Sequence, residues 1–364
     1  MRVVICGGGV IGTSIAYFLS RRGARVELIE RTGLACAASG KSGGFLALDW
    51  CDGGPLEALA RRSFALHAEL ADALPGDWGY RRLETYSGFG SLRPGAGRSH
   101  HEHDWLSDRV KLGRRLGGPE TTAQIHPARF TEAMMRGAAG AKLRIGEVTG
   151  LVRSEARVTG VEVAGETVEA DAVVIAMGPW SILAARWLPL PPVFGLKGHS
   201  LVFETGDEIT PEALFLEFEE ASGELHSPEI FPRPDGTTYV CAISSESPLP
   251  LDPAAVAPDE GAIPRLEEMC RRISPVLADA KVLARQACFR PVTQDGLPLI
   301  GAVGGLEAAY VATGHSVWGM LNAPATGEAM AELILDGKAQ LDLTPFDPGR
   351  MPALDPAQLR VATS

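Results

Sequence analysis

The hydrophobic pattern at the start of the chain predicts a strand, a helix and a second strand. Val3–Ile5 is a short β-branched run, and after the glycine-rich stretch Gly7–Gly12 the apolar residues recur at helical spacing. Ala24–Ile29 has the pattern of a second strand, which ends at Glu30. The chain therefore opens with a compact βαβ unit, and we expect the first domain to begin at residue 1.

Helical periodicity recurs in four later segments, and strand-like patterns lie between them. We predict helices over Pro55–Leu74, Pro127–Gly137, Pro264–Ile273 and Pro324–Leu335. We predict strands within 151–175 and at Leu201–Phe203, Thr237–Ile243, Ala287–Val292 and Ala309–Ala312. The alternating patterns between about 201 and 285 favour a mostly antiparallel module that is separate from the opening unit.

Composition and charge narrow the class of protein. Of the 364 residues, 45% are hydrophobic and 22% are charged, which excludes disordered, collagen-like and coiled-coil chains. The 34 basic and 45 acidic residues give a net charge of −11, so we expect no nucleic acid partner. Six cysteines without C-x-x-C spacing favour a reduced, cytoplasmic protein. Because glycines interrupt the apolar stretch Val3–Leu19, we expect no membrane span and no signal peptide there.

The first glycine-rich turn has the spacing of a dinucleotide-binding fingerprint. Gly7, Gly9 and Gly12 follow a strand and open a helix, and Glu30 ends the next strand. The glycines permit a tight turn, a close approach to a pyrophosphate and close helix–strand packing. Glu30 can accept hydrogen bonds from ribose hydroxyls, and its charge disfavours NADP. The turn alone leaves NAD and FAD open, and a glycine-rich turn without a ligand is the alternative.

The end of the chain favours FAD. Thr313–Gly319 follows a predicted strand and precedes the helix that we expect to begin at Pro324. A second helix N-terminus there can stabilise negative charge on a reduced flavin, which a reduced nicotinamide does not carry. An ordinary strand–loop–helix connection is the alternative.

Five motifs in order resemble those of the FAD-dependent amine oxidoreductases, which include D-amino-acid oxidase, glycine oxidase and sarcosine oxidase. The motifs occupy residues 7–17, 38–45, 170–181, 290–301 and 313–319. The resemblance covers nearly the whole chain, and five motifs are far more specific than one G-x-G-x-x-G. Stretches 40–50, 123–127 and 228–236 are most similar to a branch of fungi and plants whose substrate is poorly defined.

The resemblance implies an α/β protein, α+β overall. Its Rossmann-like FAD-binding domain would be discontinuous, formed by residues 1–78, 128–195 and 286–345. A mostly antiparallel β-sheet substrate domain would be inserted as residues 79–127 and 196–285. Residues 346–364 would form a surface tail.

The resemblance also implies which residues contact FAD. Ser39, Gly40 and Lys41 would lie along the pyrophosphate, Gly43 and Gly44 near the flavin ring, and Val148 at the adenine end. Packing at a glycine-rich sheet edge is the alternative for each residue taken singly. The cofactor-binding residues that we predict are Gly7, Gly9, Val10, Ile11, Gly12, Glu30, Arg31, Ser39, Gly40, Lys41, Gly43, Gly44, Val148, Ala176, Gly178, Trp180, Gly314, His315, Gly319 and Met320.

Three residues are predicted to act on the substrate or at the flavin. Arg290 lies in an apolar strand, where its planar fork suits a carboxylate, and the matching arginine of glycine oxidases holds the amino-acid carboxylate. An internal salt bridge is the alternative for Arg290. Lys197 could approach the flavin face and favour reaction with oxygen, although a solvated lysine is the alternative. His315 belongs to the segment expected at the isoalloxazine.

Cys288 and a histidine-rich loop are candidates for other chemistry. Cys288 lies close to the position at which sarcosine oxidases attach flavin covalently, but a small buried hydrophobe is the simpler interpretation. His100, His101, His103 and Asp104 crowd one loop, but adjacent histidines point apart and no second cluster accompanies them. We therefore predict no metal site.

The sequence thus predicts an FAD enzyme that oxidises the C–N bond of a small amine. The substrate would be an amino acid or N-alkyl amino acid, and hydride would pass to flavin N5. The reduced flavin would be reoxidised by O₂, giving H₂O₂, or by another acceptor. The alternatives are a flavin monooxygenase, which would need NADPH, and a flavoprotein with a binding or trafficking role. An oligomer is compatible with all of these.

Overall fold

The computed structural model describes residues 1–93, 98 and 103–359, and seven α-helices occur in those residues. Their bounds are α1 Val10–Arg21, α2 Ala38–Lys41, α3 Glu57–Ala73, α4 Pro127–Gly137, α5 Ala262–Ile273, α6 Pro275–Asp279 and α7 Gly319–Asp336. Within the described ranges, no helix has both the length and the apolar character needed to cross a membrane.

Twenty strands occur in the same described part of the chain. The first ten are β1 Arg2–Cys6, β2 Arg25–Glu30, β3 Phe45–Ala47, β4 Arg81–Arg82, β5 Thr85–Ser91, β6 Val110–Gly117, β7 Thr122–Gln124, β8 Lys142–Ile145, β9 Val148–Ser154 and β10 Arg157–Val163. The other ten are β11 Glu166–Glu169, β12 Ala172–Ile175, β13 Phe194–Glu204, β14 Ala213–Glu219, β15 Leu225–His226, β16 Glu229–Pro232, β17 Thr237–Ser245, β18 Lys281–Val292, β19 Leu299–Ala302 and β20 Ala309–Thr313.

A six-stranded sheet has the order β19-β20-β12-β1-β2-β8, with all neighbours parallel except β19 and β20. From β1 the chain leads to β2 on one side, and β12 pairs on the other side. This reversal opens a crevice at the carboxyl ends of the strands, where α/β sheets bind ligands. Helices α1, α3, α4 and α7 pack together, and their buried side chains form one core with β1 and β2.

A second, larger sheet has the order β18-β13-β17-β16-β14-β5-β6, with β15 also paired to β14. Its neighbours are antiparallel except for β14 and β5, which are parallel. Helix α5 packs against β13 and β17 and forms a separate core there with one face of the sheet. The other face is turned toward the carboxyl ends of the first sheet. Small sheets β11-β10-β9 and β3-β7-β4 complete the fold.

The structure confirms the α/β fold class and the opening βαβ unit. Helix α4 has the bounds predicted from the sequence, Pro127–Gly137, because proline stands at its first position and Nδ1 of His126 accepts a hydrogen bond from Arg129 N at its start. Strand β18 crosses the boundary proposed at residue 286, since it pairs with β13 from Lys281 to Val292. The division into domains otherwise stays a prediction.

The last long helix begins at Gly319, so the prediction that it begins at Pro324 was wrong. A proline inside a helix lacks the N–H that would bond to the carbonyl four residues earlier. Here helix α3 supplies the missing partners. Nε2 of His67 lies 3.0 Å from Met320 O and 3.2 Å from Leu321 O. The hydroxyl of Ser63 accepts a hydrogen bond from Ala325 N at 3.1 Å, so the helix continues through the proline.

The described part of the predicted tail, 346–359, is attached to the body at two points. The Phe346 side chain is buried in the core beside α7. The Arg350 guanidinium forms an ion pair with Asp295 and donates to Leu297 O at 2.7 Å. These contacts place the segment beside strand β19.

Candidate functional site

A cavity of about 730 Å³ lies between the carboxyl ends of the six-stranded sheet and one face of the larger sheet. Most of the predicted site residues meet in its wall, although they come from distant parts of the chain. Those that line it are Gly7, Gly9, Val10, Ile11, Glu30, Arg31, Ser39, Gly43, Gly44, Val148, Ala176, Gly178, Trp180, Arg290, His315, Gly319 and Met320.

The glycines of the fingerprint are required by close backbone contacts. Gly7 has φ +117°, and a Cβ atom there would lie 2.3 Å from Ala176 O. A Cβ atom on Gly12 would lie 2.0 Å from Gly7 O, so Gly12 lies behind the wall and lets α1 approach the turn. Gly9 precedes α1 without a side-chain cap, and Val10 N donates to Ser39 Oγ at 2.9 Å. The N-terminus of α1 therefore faces the cavity, as phosphate binding requires.

Glu30 is held at the end of β2 by backbone donors. Its Oε2 accepts from Gly8 N at 2.6 Å and its Oε1 from Thr32 N at 2.9 Å. Each carboxylate oxygen keeps further lone pairs for a ribose hydroxyl. The adjacent Arg31 pairs with Glu147 at 3.1 Å and donates to Leu251 O at 3.0 Å.

The segment around α2 forms the next part of the wall. Gly44 has φ +84°, and a Cβ atom on it would lie 2.1 Å from Ile125 O. A Cβ atom on Gly40 would lie 2.0 Å from Ala35 O, so Gly40 supports the turn from behind. Lys41 donates to Ala287 O at 3.2 Å and does not line the cavity.

The end of β12 and the loop after β20 close the cavity together. The Thr313 hydroxyl donates to Gly178 O at 2.9 Å, which joins the two segments. Gly314 lies behind the wall with φ +79°, where a Cβ atom would lie 2.8 Å from Thr293 Cγ2. Trp180 Nε1 donates to Pro250 O at 2.7 Å, and this hydrogen bond holds the loop that follows β17 against the segment after β12.

His315 lies at the start of α7 with one nitrogen free. Its Nε2 is 3.0 Å from Thr326 Oγ1, and its buried Nδ1 has no hydrogen-bond partner in the described structure. Burial lowers the pKa of His315 to about 3, so the imidazole is neutral at physiological pH. The ring therefore lines the cavity as an uncharged group, with one buried nitrogen that no described residue satisfies.

Arg290 lines the cavity from β18. Among the described residues it has no hydrogen bond and no ion pair, so the internal salt bridge considered from the sequence is not formed. The guanidinium lies over the neighbouring strand, where a Cβ atom on Gly198 would be 3.1 Å from Arg290 Nη2. The arginine thus presents its donors to the cavity, as a carboxylate-binding group would.

Lys197 is placed away from the cavity. Its Nζ lies 2.6 Å from Asp259 Oδ1, and its side chain is buried against the Phe289 ring, so it is not solvated either. Alternation along the paired strands explains this position, because Gly198 pairs with Cys288 on the cavity face while Lys197 pairs with Phe289 on the other face. Lys197 therefore does not line the cavity, and a role for it at the flavin stays a prediction.

Glu229 is a site residue that the sequence analysis missed. It lines the cavity from β16, and Cys241 Sγ donates to its Oε2 at 3.5 Å. Burial raises the pKa of the Glu229 carboxyl, and the nearby Arg290 charge partly opposes that rise. Glu229 and Ile230 point to opposite faces of β16, but a four-residue strand gives no sequence signal strong enough to show which face lines a cavity.

Five aromatic side chains form one wall of the cavity and were also not singled out as a group. The ring of Phe45 lies 5.0 Å from that of Trp50 and 4.9 Å from that of Phe215. Phe231 stacks on Phe45 at 5.6 Å and on Tyr239 at 6.1 Å. This wall is largely apolar, and it lies beside Glu229 because Phe215 is the residue paired with Glu229 on β14.

The structure describes Cys288, the candidate for covalent flavin attachment, and part of the histidine-rich loop. Cys288 lines the cavity, and burial raises the pKa of its thiol. Nδ1 of His103 lies 3.2 Å from Thr210 Oγ1, while His100 and His101 lie outside the described residues.

The residues present fit FAD. The close glycine contacts leave a cradle at the N-terminus of α1, and Glu30 offers acceptors at one end of the cavity. His315, Gly319 and Met320, at the start of α7, also line the cavity. A dinucleotide needs these anion- and ribose-binding groups, and a flavin needs a hydrogen-bonding, apolar enclosure.

Comparisons with known proteins extend over nearly the whole chain. A family model described as DAO, FAD dependent oxidoreductase, matches residues 2–333. A Schizosaccharomyces pombe protein named as an oxidoreductase, with no stated substrate, is 31% identical over 379 aligned residues, which cover 94% of this chain and 96% of that protein. A glycine oxidase of Bacillus licheniformis is 30% identical over 357 aligned residues, which cover 91% and 92%.

Solved structures share the same fold. The crystal structure of glycine oxidase from Geobacillus kaustophilus is similar with a TM-score of 0.78 at 26% identity, covering 96% of this chain and 99% of that one. L-proline dehydrogenase from P. horikoshii has a TM-score of 0.75 at 21% identity, covering 95% and 96%, which is a likeness of fold alone.

Proposed function

The chain belongs to the DAO family of FAD-dependent oxidoreductases, and from that premise we propose that it oxidises the carbon–nitrogen bond of an amino acid or N-alkyl amino acid. FAD is the cofactor, as the sequence predicted. Within the cavity, the nucleotide portion would be held by the Gly7–Gly12 turn, Glu30 and Ser39. His315, Gly319 and Met320 would lie at the flavin portion.

The observation that carries the proposal is Arg290. Arg290 is half-buried and faces the cavity without a hydrogen bond or ion pair to the described residues, an arrangement that favours a ligand carrying an anion. A carboxylate can accept two parallel hydrogen bonds from it. The proposed substrate therefore carries a carboxylate as well as an amine.

The protein contributes to the reaction mainly by orienting the substrate and by excluding water from the site. Bound FAD would supply the two-electron acceptor for a hydride from the carbon next to nitrogen, with O₂ or another acceptor as the final oxidant. Arg290 fixes the carboxylate, so that the adjacent carbon is held in one place. The aromatic wall keeps the site dry, and the imine product is hydrolysed after release.

Product analysis tests the proposal. The purified protein is incubated in air with glycine, sarcosine, proline and a set of D- and L-amino acids. We expect one compound to yield the corresponding carbonyl product, trapped as a hydrazone, with an equal amount of ammonia or primary amine. If every compound is recovered unchanged from protein that retains FAD, the proposal is wrong.

A further inference from the structure

Two opposite charges face the cavity from the larger sheet without pairing. Glu229 and Arg290 lie close enough for the guanidinium charge to lower the carboxyl pKa, yet they form no ion pair with each other. Neither has a cationic or anionic partner at salt-bridge distance elsewhere among the residues described. Charged groups that are partly withdrawn from bulk water are normally paired, so the space between these two half-buried side chains suits a ligand that carries both signs.

The register of the sheet explains how the two charges come to flank one space. Cys288, two residues before Arg290, pairs with Gly198 on β13, and Cys241 on β17 pairs with Glu229 on β16. Gly198 has no side chain, so the guanidinium lies flat across β13 toward β17. Glu229 lies on β16, the strand next to β17, and therefore approaches the same space from the opposite side.

The surroundings of Glu229 are apolar. Phe215 pairs with it on β14, and the Phe215 ring lies 4.9 Å from the Trp50 ring and 5.4 Å from the Phe231 ring. Among the described residues, the Glu229 carboxylate accepts a hydrogen bond only from the Cys241 thiol, which is a weak donor. An ammonium group would supply the strong donor that this carboxylate lacks, and the rings would contact an apolar substituent.

We propose that Glu229 and Arg290 together recognise a zwitterionic amino acid, with the ammonium at Glu229, the carboxylate at Arg290 and a bulky apolar side chain against the aromatic wall. This inference rests on the proposed function, because it assigns the substrate class of the same site. Glu229 would then determine specificity, because it would favour amino acids over carboxylic acids that lack an amine.

The test compares two ligands that differ only in the amine. Phenylalanine, as each enantiomer, and 3-phenylpropionate are titrated into the FAD-loaded protein under anaerobic conditions, and binding is measured by calorimetry and by the shift of the flavin spectrum. In the unaltered protein we expect one enantiomer of phenylalanine to bind at least about tenfold more tightly than 3-phenylpropionate. Phenylalanine should also bind more tightly than alanine, which cannot reach the rings.

The decisive variant is Glu229→Gln, which keeps the shape and removes the charge. It should weaken phenylalanine binding by at least about tenfold and leave 3-phenylpropionate binding equal or tighter, because a negative charge near the carboxylate is lost. Glu217→Gln is the control, since Glu217 is exposed on the adjacent strand β14 and does not line the cavity. Glu229→Asp, which retains the charge, should keep the preference for phenylalanine even if Glu229→Gln folds poorly.

Three results would overturn the inference: an equal change for both ligands in Glu229→Gln, no preference for phenylalanine in the unaltered protein, or no binding of either compound. Each can be told apart from failure of the proposed function. If amino acids are oxidised but Glu229→Gln does not alter the preference, only the role of Glu229 is wrong. If Glu229→Gln loses the preference for phenylalanine as expected but no amino acid is oxidised, the proposed binding site is supported and the proposed oxidation is wrong.

Discussion

Replacing Arg290 by alanine should abolish most of the catalytic efficiency while leaving the fold and the flavin in place. The side chain has no hydrogen bond or ion pair to the described residues, so its removal leaves no buried group without a partner. The effect on stability should therefore be small. The guanidinium is nevertheless the group that faces the cavity where a substrate carboxylate would bind.

The size of the loss follows from the hydrogen bonds that a carboxylate would form. A hydrogen bond to a charged group contributes about 1.5–3 kcal/mol, so losing a two-pronged contact should cost about 3 kcal/mol in transition-state terms. This corresponds to a fall in kcat/KM on the order of 100-fold. Lysine at position 290 should recover part of it, because a point charge replaces the planar fork.

The assay is anaerobic stopped-flow reduction of the bound flavin by the amino acid that reduces it fastest. Arg285→Ala is the matched control, since Arg285 lies on the same strand, is exposed and pairs with Glu267 on the surface. An amine without a carboxylate should react equally with the Arg290 variant and the unaltered protein. If the Arg290 variant retained kcat/KM within about threefold, the carboxylate-binding role would be refuted.

Three further predictions concern the cofactor and the fold. Gly7→Ala should lower FAD retention after dialysis and reduce stability by about 1–3 kcal/mol, because its Cβ atom would meet Ala176 O. Gly23→Ala, with positive φ but open surroundings, should keep FAD, and equal loss of FAD in both variants would contradict the argument. Burial raises the pKa of the Cys288 thiol and disfavours the thiolate needed for covalent attachment, so acid precipitation should release FAD into the supernatant. Burial lowers the pKa of His67 to about 4, whereas an unfolded histidine titrates near 6.5. Between these two pH values only the unfolded chain binds a proton at His67. The free energy of unfolding should therefore fall by about 3 kcal/mol from pH 6.5 to pH 4. A urea unfolding midpoint that stays constant over this range in the unaltered protein would contradict the prediction.

Local patterns were enough to predict the opening unit and several helices. The strand, the glycine turn and the acidic strand end that are predicted to bind a dinucleotide all lie within the first thirty residues, so their spacing can be recognised in the sequence. Helix α4 was equally clear because proline marks its start. The last helix was predicted too short because its continuity through Pro324 depends on His67 and Ser63, which lie more than 250 residues away in the chain.

The substrate end of the cavity depended on strand pairing that no local pattern contains. Lys197 and Arg290 lie on neighbouring strands, and only the register shows that they face opposite sides of the sheet. Glu229 stands on a four-residue strand, which is too short for its alternation to identify a buried face. The aromatic wall collects rings from five strands or loops, so its assembly could be seen only in the fold.

The measurement that most directly tests the central claim is anaerobic titration of the purified protein with the amino-acid panel, followed by the visible absorption of its flavin. The account predicts that one carboxylate-bearing amine bleaches the oxidised flavin without NADPH, and that readmitted O₂ or an added electron acceptor restores the colour. Bleaching by NADPH but by none of the amino acids would contradict it.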